Sequence, residues 1–148
     1  MNIIDSYLQL ADEGRFEEGL PLIEEILHRD ESIDTSWFNY GICLAELGRH
    51  KEAASAFLKA YELNPEDGGA LYRGCLALAA APDSTRLFEV FKSECERDPG
   101  MMVHFQEESA FDKFFRLPRF QDLREQYGRQ ATQSPPQGQR SKPWWKFW

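Results

Sequence analysis

A self-similarity at thirty-four residues constrains this chain more than any other feature of its sequence. Shifted by that interval, Leu10-Ala11 falls on Leu44-Ala45, Gly14-Arg15 on Gly48-Arg49, Glu18 on Glu52 and Pro65 on Pro99. A fixed period of this length means one repeated supersecondary unit, too small to bury its own apolar face without neighbours stacked on it. Glycine and proline divide the chain at short intervals, and the stretches between them have helical periodicity. Apolar residues at 20, 22, 23, 26 and 27, and again Ala53, Ala56, Phe57, Ala60, Tyr61 and Leu63, recur at three-and-four spacing. No stretch alternates apolar and polar residues at strand spacing, so the expected class is all-α.

The middle copy, residues 34–67, carries the fullest pattern. Trp37, Leu44 and Phe57 are large where a facing helix leaves a hole, and Gly41, Ala53 and Ala60 are small where two helices approach closely. Gly48 suits the left-handed turn that ends a first helix, and Pro65 stops a second. In order, Trp37, Tyr40-Gly41, Leu44, Gly48, Ala53, Phe57, Ala60 and Pro65 resemble the tetratricopeptide repeat closely. Tyr40 stands where the family usually has leucine, and remains bulky and apolar.

The flanking copies are degenerate. In residues 1–33 Gly14 keeps the turn, while Gly19, Ile23 and Glu31 replace the alanine, phenylalanine and proline. In residues 68–101 Leu71, Gly74, Phe91 and Pro99 fit, but laying Gly74 on Gly41 requires a one-residue slip, and residues 79–83 (Ala-Ala-Ala-Pro-Asp) replace the glycine turn. After Pro99 the period is expected to stop. Residues 101–106 extend as a short helix, and residues 108–123 resemble a segment that often closes bacterial proteins of this family, with Pro118 opening a last helix. Phe111, Phe114, Phe120 and Leu123 suit a terminal cap. The expected architecture is an antiparallel helix-hairpin solenoid of about three repeats over residues 1–101. A helical cap over 102–128 follows, then a linker and tail over 129–148.

Charge is divided unevenly. The chain of 148 residues has a formal net charge of −8, but residues 1–127 hold thirteen basic and twenty-five acidic side chains, a net of −12. From Gly128 onward there are four basic residues and no acid. An acidic body opposes nucleic-acid binding. Residues 129–141 contain one small aliphatic side chain and no aromatic, too little to offset the entropy of ordering, so a flexible linker is expected. Three widely spaced cysteines without a CxxC pair point to a reducing compartment, and the first residues lack the basic and apolar regions of a signal peptide. A cytoplasmic protein is expected, with attachment at the membrane periphery as the alternative.

Catalytic and metal-binding patterns are not found. His28, His50 and His104 are scattered, with no second ligand at helical metal spacing, and the cysteines fall within predicted helices as small core residues. No phosphate-loop, dinucleotide or nucleophile-elbow sequence occurs. Neither an enzyme nor a cofactor is expected.

The resemblance implies protein binding, with the first helix of each hairpin lining a concave groove. Carried over residue by residue, the groove positions are Phe38, Asn39, Ile42 and Glu46 in the middle copy. They are Ile4, Asp5 and Leu8 in the first, and Tyr72, Arg73 and Leu76 in the third. The alternative is that Ile4, Leu8 and Ile42 are simply core. The family's carboxylate clamp for chaperone C-termini is not expected. Asn39 and Arg73 occupy two of its five positions, but Ile4, Leu8 and Gly69 stand where lysine, asparagine and lysine are needed.

The tail is the least ordinary feature: Lys142, Trp144, Trp145, Lys146, Phe147 and Trp148 combine cations with aromatics. Four readings stay open. The tail can dock into an acidic, apolar groove of its own chain or another's, contact an anionic membrane surface, stack on single-stranded nucleic acid against the opposition of the acidic body, or serve no role.

Overall fold

The structure, a computed structural model, describes the backbone of residues 1–133 and side chains through residue 130. The remainder of the expected linker and the aromatic, basic tail lie outside the described residues. Among the described residues eight α-helices follow one another: α1 (Ile3–Asp12), α2 (Phe16–Arg29), α3 (Asp34–Glu46), α4 (His50–Leu63), α5 (Gly68–Ala80), α6 (Ser84–Arg97), α7 (Met101–Glu107) and α8 (Pro118–Gln133). Two 3-10 turns, Ser109–Phe111 and Phe114–Arg116, join the last pair, and no strand occurs among the described residues.

The first three hairpins keep one period. Their first helices end at residues 12, 46 and 80, and their second helices begin at 16, 50 and 84. The same bond closes each turn: Arg15 N donates to Leu10 O at 2.8 Å, Arg49 N to Leu44 O at 2.8 Å, and Asp83 N to Leu78 O at 2.9 Å. Gly14 and Gly48 sit in these turns with φ of +71° and +76°, which glycine adopts without Cβ crowding. Pro82 holds the equivalent place at φ +21°. Arg15 pairs with Glu18 through two bonds of 2.8 and 2.6 Å, and Arg49 repeats the arrangement with Glu52 at 2.9 and 2.6 Å. The Gly-Arg-x-x-Glu echo is therefore a turn followed by an exposed charge pair across the opening of the second helix.

Three expectations are corrected. No slip is needed in the third hairpin, because its turn and second helix lie thirty-four residues after those of the second. Cys75, fully buried, takes the place of Gly41, while Gly74 admits Leu58 of α4, whose Cδ2 lies 3.0 Å from where a Cβ would be. Nor does the period end at Pro99: α8 begins at residue 118, again thirty-four after α6, so α7 and α8 occupy a fourth hairpin with a shortened first helix. The first helix is short because its residues go instead into the two 3-10 turns that bring Phe111, Phe114 and Phe115 into the core. In addition, α8 runs to Gln133, past residue 128 where the cap was expected to end.

Packing follows two regimes. In the middle hairpin Gly41 faces the Phe57 ring so closely that a Cβ would lie 2.7 Å from its Cδ1. The first hairpin inverts the sizes: Tyr7 stands at the Gly41 position and fills the room left by Gly19, whose Cβ would be 3.4 Å from the tyrosine ring. Tyr7 also donates its hydroxyl to the Asn39 carbonyl at 2.9 Å, fastening α1 to α3. Farther along, the core is built from phenylalanine. Phe91 stacks on Phe105 at 3.9 Å between centroids and meets Phe111 and Phe120 edge-on at 5.1 and 5.8 Å.

A candidate partner-binding face on the first helices

Nine of the ten positions read from the sequence as groove-lining recur at the hairpin period: 4, 38 and 72; 5, 39 and 73; 8, 42 and 76. They fall at equivalent places on α1, α3 and α5, and so share one face of the stack. Asp5 in the first turn of α1 is positioned by the Asn2 cap, whose Oδ1 accepts the Asp5 N–H at 2.9 Å. Asp67 caps α5 in the same way, accepting from Ala70 N at 3.2 Å.

The nine residues at these positions differ in exposure. Ile4 and Leu8, one turn apart on α1, are 51% and 45% exposed, so they are not core. Phe38, Ile42, Tyr72 and Leu76 are half-buried and pack on the main core while leaving part of each side chain at the surface. Asn39 is half-buried, and Asp5, Arg73 and the tenth candidate, Glu46, are exposed. The Arg73 guanidinium lies over the Phe38 ring, 5.6 Å from its centroid, bringing α5 and α3 together along this face. Behind it Phe38 meets Phe57 edge-on at 5.5 Å. The tail candidates Lys142, Trp144, Trp145, Lys146, Phe147 and Trp148 lie outside the described residues.

The sequence reading missed what the fourth hairpin adds. Tyr72 donates its hydroxyl to Glu108 at 3.1 Å, and Lys113 donates to the Ala79 carbonyl at 3.2 Å, so the segment after α7 leans against α5. Burial, then the Glu108 carboxylate, pushes the Tyr72 phenol above its ordinary range. No periodic signal marks Glu108, because the stretch that carries it is not helical in the repeat's pattern.

The chemistry of the other reactive groups is quiet. All three cysteines are free and buried, and burial raises their thiol pKa values, that of Cys95 to about 12. A thiol held protonated at neutral pH is a poor nucleophile and metal ligand. Glu94, at the position of Ala60, is buried but accepts the Tyr61 hydroxyl at 2.9 Å, with Arg97 donating to that same hydroxyl at 2.9 Å. This is a satisfied buried polar group that ties α6 to α4. Among the described residues, no group of three or more His, Cys, Asp and Glu is placed to hold a metal ion. No described helix is long and apolar enough to cross a membrane.

The tetratricopeptide repeat family model matches residues 8–68, from within α1 to the start of α5. No curated protein matches the chain. Among solved structures the chain is similar to YrrB, described as a TPR protein with an unusual peptide-binding site. The two are 17% identical over 89% of this chain and 91% of that one, with a TM-score of 0.36. The thirty-four-residue hairpins, their matched turns and the family match together show tetratricopeptide repeats over residues 8–68.

Proposed function

We propose that this protein is a non-catalytic scaffold that holds a peptide or protein segment along the face formed by α1, α3 and α5. The repeats of that scaffold would be residues 1–33, 34–67 and 68–101, with the remainder of the helical body as cap. The observation that carries the reading is the Arg73 guanidinium over Phe38, which runs the faces of two successive hairpins into one surface. That surface is apolar along Ile4, Leu8, Phe38, Ile42, Tyr72 and Leu76, with Asp5, Glu46 and Arg73 at its edges. Partly exposed apolar side chains flanked by charge suit an extended segment with apolar or aromatic anchors.

The test is affinity capture with the intact protein and an Ile42→Glu, Arg73→Glu variant, after circular dichroism shows equal helicity. A partner captured by the intact form alone supports the face as the binding surface. Identical captures from both would sink it.

A further inference from the structure

After Met1, the most exposed large apolar side chains among the described residues are Ile4 and Leu8. They form one ridge on α1, and the charged side chains of that helix are all acidic. Residues 1–14 contain Asp5, Asp12 and Glu13 and no lysine or arginine, and Asp5 and Asp12 are exposed. The chain holds one segment of complementary chemistry. Residues 134–148 carry three basic side chains and no acid, with Trp144, Trp145, Phe147 and Trp148 clustered among them.

Topology makes the meeting possible. In an up-and-down stack the second helix of each hairpin returns to the rim where the first helices begin. The end of α8 at Gln133 therefore lies on the rim from which α1 starts. Ten residues separate Gln133 from Trp144, and the eleven steps between them have an extended reach of about 36 Å. From α7 back to α1 there are three first-helix steps, about 30 Å at ~10 Å per packed helix.

We propose that residues 142–148 dock on the Ile4–Leu8 ridge of their own chain, with the indole rings covering the apolar side chains and Lys142 and Lys146 beside Asp5 and Asp12. The inference rests on the groove reading above and names an occupant for it. A tail seated there competes with any external segment at high effective concentration, because both ends belong to one molecule.

Acrylamide quenching of tryptophan fluorescence tests the proposal in the full chain. A Trp144→Ala, Trp145→Ala, Trp148→Ala variant supplies the separate contribution of Trp37. In the unaltered chain the tail indoles should quench several-fold less steeply than in a synthetic peptide of residues 138–148. An Ile4→Lys, Leu8→Lys variant should quench as steeply as the peptide. If that variant loses helicity, Asp5→Lys with Asp12→Lys serves instead and must likewise expose the indoles. Tail indoles as accessible as the free peptide's, or protection that survives the substitutions, would overturn the proposal. So would protection that grows with protein concentration, which places the tail on a neighbouring copy. The groove reading is judged separately by repeating the capture comparison in the tryptophan-substituted chain, where the tail's aromatic anchors are gone.

Discussion

The middle hairpin and the C-terminal cap solve the same packing problem by opposite means. Between α3 and α4 the contact depends on an absence: Gly41 has no Cβ, and the Phe57 ring occupies the space one would take. Around α6, α7 and α8 it depends on bulk, with Phe91 at the centre of Phe105, Phe111, Phe115 and Phe120. A missing methyl is needed at one position and no other. A cluster of large rings can be supplied from several positions, since aromatic pairs tolerate both stacked and edge-on geometries. Strict position keeps a sequence period visible, and interchangeable bulk erases it.

The largest effect that would sharpen this contrast is expected at Phe91. Truncation to alanine empties the middle of the ring cluster and should cost about 3–5 kcal/mol in urea unfolding. A loss below about 1 kcal/mol would mean that the other rings collapse into the space and that no single one matters. Gly41→Ala should cost about 1–3 kcal/mol by overpacking, and Phe57→Leu in the same chain should recover part of it. Simple additivity of the two changes would contradict the close contact.

Alkali should act on the first and middle hairpins. Burial raises the Tyr7 and Tyr61 phenols to about 12, the second helped by the neighbouring Glu94. A phenol that ionises later in the folded state than in the unfolded one contributes stability that is whole below pH ~10. That stability drains as pH rises from there through 12. Tyr61→Phe should flatten this fall in a series of thermal melts, and an unchanged slope would refute the assignment.

Smaller still is Pro82→Gly. A proline ring holds φ near −65°, whereas position 82 sits at +21° where the other turns have glycine. Released strain should stabilise by about 1 kcal/mol or less after the glycine's added unfolded-state entropy. A lower Tm would show that the third turn does not need the left-handed residue. Least is expected from Arg49→Ala, because the Arg49–Glu52 pair is exposed, and its Tm should match the parent's within error.

Much of the architecture could be read before any coordinates. The turn glycines at 14 and 48, the need for a small residue at Gly41 and a large one at Phe57, and Pro118 opening the last helix all reflect rules of backbone and volume local to a hairpin. The reading went astray where a residue's role depends on a neighbouring element. In sequence, Gly74 lies on Gly41 only through a one-residue slip. Its actual neighbour is Leu58 on the preceding helix, a contact that no interval within the third hairpin encodes. The fourth hairpin was missed because its first helix breaks after Glu107 to deliver Phe111, Phe114 and Phe115 inward. On the candidate face, periodicity identified which positions are equivalent, while their exposure was open to two readings.

By itself the sequence determined the helical class, the thirty-four-residue unit and the positions of its turns, because these follow from side-chain volume and backbone freedom within one hairpin. Only the tertiary structure decided that Ile4 and Leu8 stand exposed while Phe38 and Ile42 are half-buried, that Arg73 reaches across to Phe38, and that Glu108 meets Tyr72. Those are relations between hairpins. A stack sets them through the packing of whole helices, and no local pattern in the chain carries that information.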